Sequence, residues 1–123
     1  MNKYFLIFLI VLLGLVSFLI WGGLRGEGYT NSALETFAKC LKEKGIVIYG
    51  ADSCSWCQKE KANFKGAWRF INYIDCSKNP KDCLALGIEA TPAWIFADGK
   101  RLTGYQGLEK LAEESGCKLT IDR

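Results

Sequence analysis

The chain has no histidine at all and only two prolines among its 123 residues. Without an imidazole, any reactive thiolate here has to be stabilised by other means. No acidic residue precedes Glu27, and residues 4–21, YFLIFLIVLLGLVSFLIW, carry neither charge nor proline. As a helix those residues reach roughly 27 Å, close to the hydrocarbon thickness of a bilayer. There is no basic tract, internal repeat or low-complexity segment. The 16 basic residues against 13 acidic ones leave +3, and +2 once Lys3 is assigned to the apolar segment. That balance gives no electrostatic footprint for nucleic acid.

Two readings of the apolar run compete, a cleaved leader and a retained anchor. Leader cores are about 7–15 residues long and end at a small-x-small cleavage site. This run is longer, and its exit, Ile20-Trp21-Gly22-Gly23-Leu24-Arg25, offers no such site, while Tyr4 and Trp21 stand where interfacial aromatics belong. The expectation is therefore a transmembrane anchor over 1–22, a glycine-rich linker over 23–32 and a folded domain over 33–123. Lys3 and the terminal amine precede the span, whereas Arg25 and Glu27 nearly cancel behind it. The positive-inside rule then places the N-terminus in the cytoplasm and the domain outside a cell (inner) membrane, crossed once. Six cysteines in so small a domain fit an oxidising compartment on the same side.

Beyond the linker, Leu34, Phe37, Ala38 and Leu41 recur at helical spacing, so residues 33–43 form an amphipathic helix capped by Asn31 or Ser32 and stopped at Gly45. Ile46 to Tyr49 reads as a buried strand, Cys57 to Lys65 as a helix and Phe70 to Ile74 as a second strand. Pro80 opens a short helix through Leu86. Ala93 to Phe96 is a third strand, and Asp98-Gly99 turns the chain into a fourth around Arg101 to Thr103. A last helix covers Gly107 to Ser115 and stops at Gly116. Strands alternating with helices imply a parallel pair, to which the closing hairpin adds antiparallel strands.

The chemistry-bearing element is Cys54-Ser55-Trp56-Cys57. Alone, such a pair could hold zinc, form a static bridge or exchange disulfides. Its setting favours exchange, because Cys54 follows a strand and opens a helix. Unpaired backbone N–H groups and the positive end of the helix dipole stabilise a thiolate there. Cys57, one turn on, is placed to resolve a mixed disulfide. A zinc site using Cys54, Cys57, Cys76 and Cys83 would need a second pair with six intervening residues, wider than structural zinc sites use. A tethered adaptor in which the pair is a static bridge is the other competing class.

Thr91-Pro92 directly precedes the third strand, an entrance at which proline is tolerated. With strand-CxxC-helix and Thr-Pro-strand together, residues 33–116 resemble the thioredoxin-like superfamily. The resemblance implies a four-stranded mixed sheet flanked by helices, joined here to the N-terminal transmembrane helix. It also implies a cis Pro92 facing the CxxC, and a Thr91-Pro92 edge on which substrate docks; Trp56 itself reads as exposed beside the motif, either a contact for the bound partner or an ordinary surface aromatic. The runs FAKCLKEKG, CxxCQ, NYIDCS, TPAW and SGC are more closely similar to the thioredoxin-like domain attached to bacterial vitamin K epoxide reductase homologues. That likeness implies Cys54 and Cys57 as the redox pair of a thiol-disulfide oxidoreductase, protein thiols and disulfides as substrates, and electron flow in the direction of disulfide formation; a disulfide reductase or isomerase is the alternative within the same class. No cofactor of its own is implied. Because this chain has one span, a quinone-linked membrane partner would be a separate protein.

The chain departs from thioredoxin itself at two places. Ile48 occupies the position of a buried, proton-handling aspartate, and Ser53 replaces the tryptophan before the first cysteine. With Cys54 and Cys57 taken as the redox pair, three pairings remain for the other four cysteines. Cys76 and Cys83 flank a short loop, which leaves Cys40 and Cys117, whose helices share one face in thioredoxin-like folds. A free buried Cys40, and an electron-relaying Cys76–Cys83 pair, are the alternatives. Trp68, Phe70, Trp94 and Phe96 read as core or sheet-flanking residues. Lys59, Glu60 and Lys61 read as solvated helix surface.

Overall fold

The structure, a computed structural model, describes residues 1–23 and 28–121. The part of the expected linker at 24–27, including Arg25 and Glu27 of the orientation argument, lies outside the described residues. α1 spans Lys3–Gly23 and is apolar on all sides. Its stretch Lys3–Trp21 has a mean hydropathy of 2.8, long and apolar enough to cross a membrane, a test that a leader near an N-terminus also passes.

α2, Asn31–Glu43, buries Ala33, Leu34, Phe37, Ala38 and Leu41 along one stripe. Its cap is Thr30 rather than Asn31 or Ser32, which lie inside the first turn. The Thr30 hydroxyl accepts the Ala33 N–H at 3.2 Å, satisfying one of the otherwise unpaired donors. β1 (Val47–Gly50) leads to α3 (Ser55–Phe64), and a 3-10 turn over Lys65–Phe70 follows directly. The second strand, β2, therefore runs Asn72–Asp75 instead of starting at Phe70. The Ile71 N–H is still bonded to the Trp68 carbonyl at 2.9 Å, so the ladder cannot begin earlier. α4 is Pro80–Ala85, β3 Ala93–Ile95, β4 Arg101–Thr103 and α5 Leu108–Ser115. Gly116 ends α5 in the left-handed conformation, at φ +70°, donating its N–H to Ala112.

The sheet order is β2-β1-β3-β4. β1 pairs parallel to β2 and antiparallel to β3, and β4 closes the hairpin against β3. On one side the α2 stripe meets Ile46, Ile48, Phe64, Trp94 and Leu111, with the Phe37 and Phe64 rings stacked at 5.9 Å. Each such aliphatic or aromatic side chain contributes roughly 1.5–3 kcal/mol on burial. Tyr49, Cys83 and Ala93 form a smaller buried cluster with Val47 and Ile95. Trp94 and Phe96 are buried, and Trp68 and Phe70 pack against the core's edge. A four-stranded mixed sheet with these helices is the thioredoxin-like fold, and it brings the end of β1, the start of α3 and the start of β3 together.

Candidate active site

β1 ends at Gly50, and a tight turn closed by the Cys54 N–H on the Ala51 carbonyl (3.1 Å) starts α3 at Ser55. Cys54 is the N-cap, in extended conformation, and its sulfur accepts the Cys57 N–H at 3.1 Å. The sulfur thus occupies the position that an oxygen fills in an ordinary cap, pointed at by the unpaired donors of the first turn. Cys54 and Cys57 are bonded, with Cα atoms 5.2 Å apart. Cys54 is half-buried and Cys57 buried. Gly50 makes room for that burial: a Cβ there would lie 3.1 Å from Cys57 Sγ and 2.9 Å from the Tyr73 ring.

Opposite the pair, the Thr91-Pro92 peptide is cis. The Thr91 carbonyl oxygen lies 3.6 Å from Cys54 Sγ, while the Pro92 carbonyl accepts the Gly104 N–H at 2.7 Å. Cys54, Cys57, Thr91 and Pro92, separated by more than thirty residues of chain, are therefore brought together. Trp56 stands beside them, 54% exposed, its ring 5.8 Å from that of Tyr105. The Lys59 ammonium lies 5.0 Å from the Trp56 ring and 4.8 Å from the Tyr105 ring. The Asn63 amide donates to the Tyr105 hydroxyl at 2.7 Å, which fixes that side of the rim.

Glu60 corrects the expectation of a solvated helix surface. It is fully buried, and its carboxylate accepts three N–H groups: Gln106 at 2.8 Å, Gly107 at 3.0 Å and the Trp94 indole at 3.4 Å. Helical spacing was the available signal, since Cys57, Glu60 and Phe64 share the buried stripe of α3. Lys59 and Lys61 are exposed.

Behind Cys57, a cleft of about 10 Å³ has room for one water. Asp52, Gln58, Lys61, Trp68 and Tyr73 line it with Cys57. Burial, then the charges of Asp75 and Asp52, push the Tyr73 hydroxyl above its ordinary pKa. Asp75 itself is raised by burial, but hydrogen bonds from Ser77 and the neighbouring Lys78 and Asp52 outweigh this and hold it below the usual carboxylate value. Ile48 is fully buried in the core, so no carboxylate stands at that position behind the pair.

The other cysteines are bonded as Cys40–Cys117 and Cys76–Cys83, with Cα separations of 5.9 and 5.7 Å. Cys40 is thus not free. The first bridge ties α2 to the segment after α5, and the second ties the end of β2 to α4. Among the described residues no three His, Cys, Asp or Glu side chains are grouped to hold a metal.

No protein-family model matches the chain. In an alignment 91 positions long that covers 67% of this chain, it is 37% identical to the thiol-disulfide oxidoreductase LTO1 of Arabidopsis thaliana, covering 24% of that protein. A second match, 34% identical over 55 residues, is to the histone-lysine N-methyltransferase CLF of the same plant, across 45% of this chain and 6% of that protein. The chain spans about a quarter or less of the curated relatives it matches.

Proposed function

We propose that the chain is a membrane-anchored thiol-disulfide oxidoreductase that works outside the cytoplasm through Cys54 and Cys57. The observation that carries this reading is the Cys54–Cys57 bond at the N-terminus of α3, with Cys54 Sγ 3.6 Å from the carbonyl of the cis Thr91-Pro92 peptide. The name of the plant relative that matches two thirds of this chain supports the same chemistry. So does a domain whose remaining four cysteines form two bridges, as expected of an oxidising compartment.

In the direction of disulfide formation, a substrate thiolate attacks Cys54 Sγ. The new substrate–Cys54 bond forms as the Cys54–Cys57 bond breaks, and Cys57 leaves as a thiolate that takes up a proton. A second substrate thiolate then attacks the substrate sulfur of the mixed disulfide and releases Cys54. Two electrons and two protons have passed from the substrate dithiol to the Cys54/Cys57 pair. The Cys57 N–H at 3.1 Å stabilises Cys54 as the leaving thiolate. The Thr91-Pro92 edge and Trp56 hold the substrate chain. Re-oxidation requires a partner that accepts two electrons, and a quinone-linked membrane protein of the vitamin K epoxide reductase type would supply that chemistry. In this reading 1–22 is the anchor, 23–32 the linker and 33–123 the catalytic domain.

The test is oxidation of a reduced, unfolded protein by the full chain in detergent, with Cys54→Ser as control. Disulfides formed in step with loss of the Cys54–Cys57 bond, and none with the variant, support the proposal. Equal rates with the two chains would refute it.

A further inference from the structure

Glu60 has no part in the exchange steps above, yet it is the most fully hydrogen-bonded buried charge on α3. Its three donors come from two other elements. The Trp94 indole belongs to β3, which Pro92 opens, and the Gln106 and Gly107 N–H groups belong to the turn before α5. That turn is bonded to the docking edge as well, through the Gly104 N–H on the Pro92 carbonyl at 2.7 Å. It also carries Tyr105, which meets Trp56 and Lys59 at the rim. A single carboxylate therefore joins the helix that bears the cysteines to both segments that would hold the substrate chain.

Three N–H donors on two oxygens describe an anion used purely as an acceptor. None of the ion pairs among the described residues involves Glu60. A buried carboxylate without a counter-ion is costly unless hydrogen bonds replace its hydration. A core position that only had to be filled would be served better by leucine or methionine. What the carboxylate adds is connection between elements more than thirty residues apart in sequence.

We propose that Glu60 is a positioning residue for disulfide exchange, setting the distance between Cys54 and the Thr91-Pro92 edge. The proposal rests on the exchange reading above. It separates two reactions of the same sulfur. Attack by a docked protein substrate needs Cys54 and the edge in register. Alkylation of reduced Cys54 by iodoacetamide needs only the sulfur. Misplacing reacting groups by about 1 Å can cost on the order of a hundredfold.

The experiment compares the full chain with Glu60→Gln in detergent, measuring kcat/KM for a reduced protein substrate with glutathione disulfide as the re-oxidant and, on the reduced chain, the rate of Cys54 alkylation, with cooperative melting as the check on folding. The amide keeps the shape but loses the charge and turns an NH2 toward one of the donors. The expected result is a fall in kcat/KM of roughly ten- to a hundredfold, with alkylation within about twofold of wild type. A folded variant that oxidises substrate at the wild-type rate overturns the proposal. So does one in which alkylation falls as much as exchange, because the effect then lies on the sulfur and not on its placement. Should Glu60→Gln not fold, Trp94→Phe removes one donor and leaves the carboxylate. It should lower kcat/KM several-fold with unchanged alkylation, and a wild-type kcat/KM in that variant overturns the proposal equally. A wild-type chain that is alkylated but oxidises no substrate fails the exchange reading itself, and this inference with it, whereas an active wild type with an equally active Glu60→Gln fails this inference alone.

Discussion

Replacing both Cys40 and Cys117 by alanine should cost far more stability than replacing both Cys76 and Cys83. The bridges differ chiefly in the chain they close, with sequence separations of 77 and 7. If a disulfide acts by limiting the unfolded ensemble, the first is worth about 4.5 kcal/mol at 25 °C and the second about 2.4 kcal/mol. Both have Cα separations in the ordinary range, 5.9 and 5.7 Å, so neither geometry requires backbone distortion. The longer bridge also pins α2, whose Leu34, Phe37 and Leu41 make up much of the core. A loss of about 4.5 kcal/mol is a large share of a small domain's 5–15 kcal/mol. It corresponds to a fall in Tm of about 20–35 °C for a domain of this size. The assay is urea unfolding of the full chain in detergent, followed by tryptophan fluorescence, to which the buried Trp94 contributes, and by far-UV circular dichroism. A Cys40/Cys117 variant losing less than about 1.5 kcal/mol, or less than the Cys76/Cys83 variant, would refute the loop-entropy reasoning.

Gly50→Ala should destabilise by about 1–3 kcal/mol as overpacking, because its Cβ would meet the Tyr73 ring and Cys57 Sγ at 2.9 and 3.1 Å. An unchanged urea midpoint would contradict the close fit around Cys57. Trp56→Ala should lower kcat/KM for a protein substrate about tenfold, the equivalent of about 1.4 kcal/mol, while Tm stays within a degree or two because the ring is more than half exposed. Equal kinetics would remove Trp56 from the docking surface. Asp75 titrates below its ordinary 3.8 when folded, so the unfolded chain binds more protons between the folded value and 3.8. Its contribution is therefore present above pH 3.8 and lost as pH falls through the folded value. Urea midpoints between pH 2 and 5 should fall less steeply for Asp75→Asn than for wild type, and parallel curves would contradict the assignment.

The site was legible where local chemistry and chain order coincide. Gly50 closing a strand, Cys54 opening a helix and Pro92 before a strand each have a meaning that a few neighbouring residues convey. Glu60 was not legible in that way, because its donors at Trp94, Gln106 and Gly107 lie 34 to 47 residues away. Flanked by Lys59 and Lys61, it reads as solvent-facing until it is set on the stripe with Cys57 and Phe64. The start of β2 is hidden from the local sequence for a similar reason. Phe70 and Ile71 look like strand residues, but the 3-10 turn over Lys65–Phe70 holds them back. At α2, three cap-competent residues stand in a row, and only the geometry selects Thr30.

The central claim is that Cys54 exchanges disulfides with other proteins through a mixed disulfide, with Cys57 as the thiol it is bonded to between encounters. Cys57→Ser in the full chain removes the neighbouring thiol that could displace a bound protein from Cys54, while leaving Cys54 at the head of α3. Expressed in its native membrane and analysed without reductant, the variant should carry other proteins on Cys54 as mixed disulfides that disappear on reduction and are absent from a Cys54→Ser/Cys57→Ser control. A Cys57→Ser chain whose Cys54 is recovered entirely free, under conditions where the wild-type pair cycles, would contradict the account.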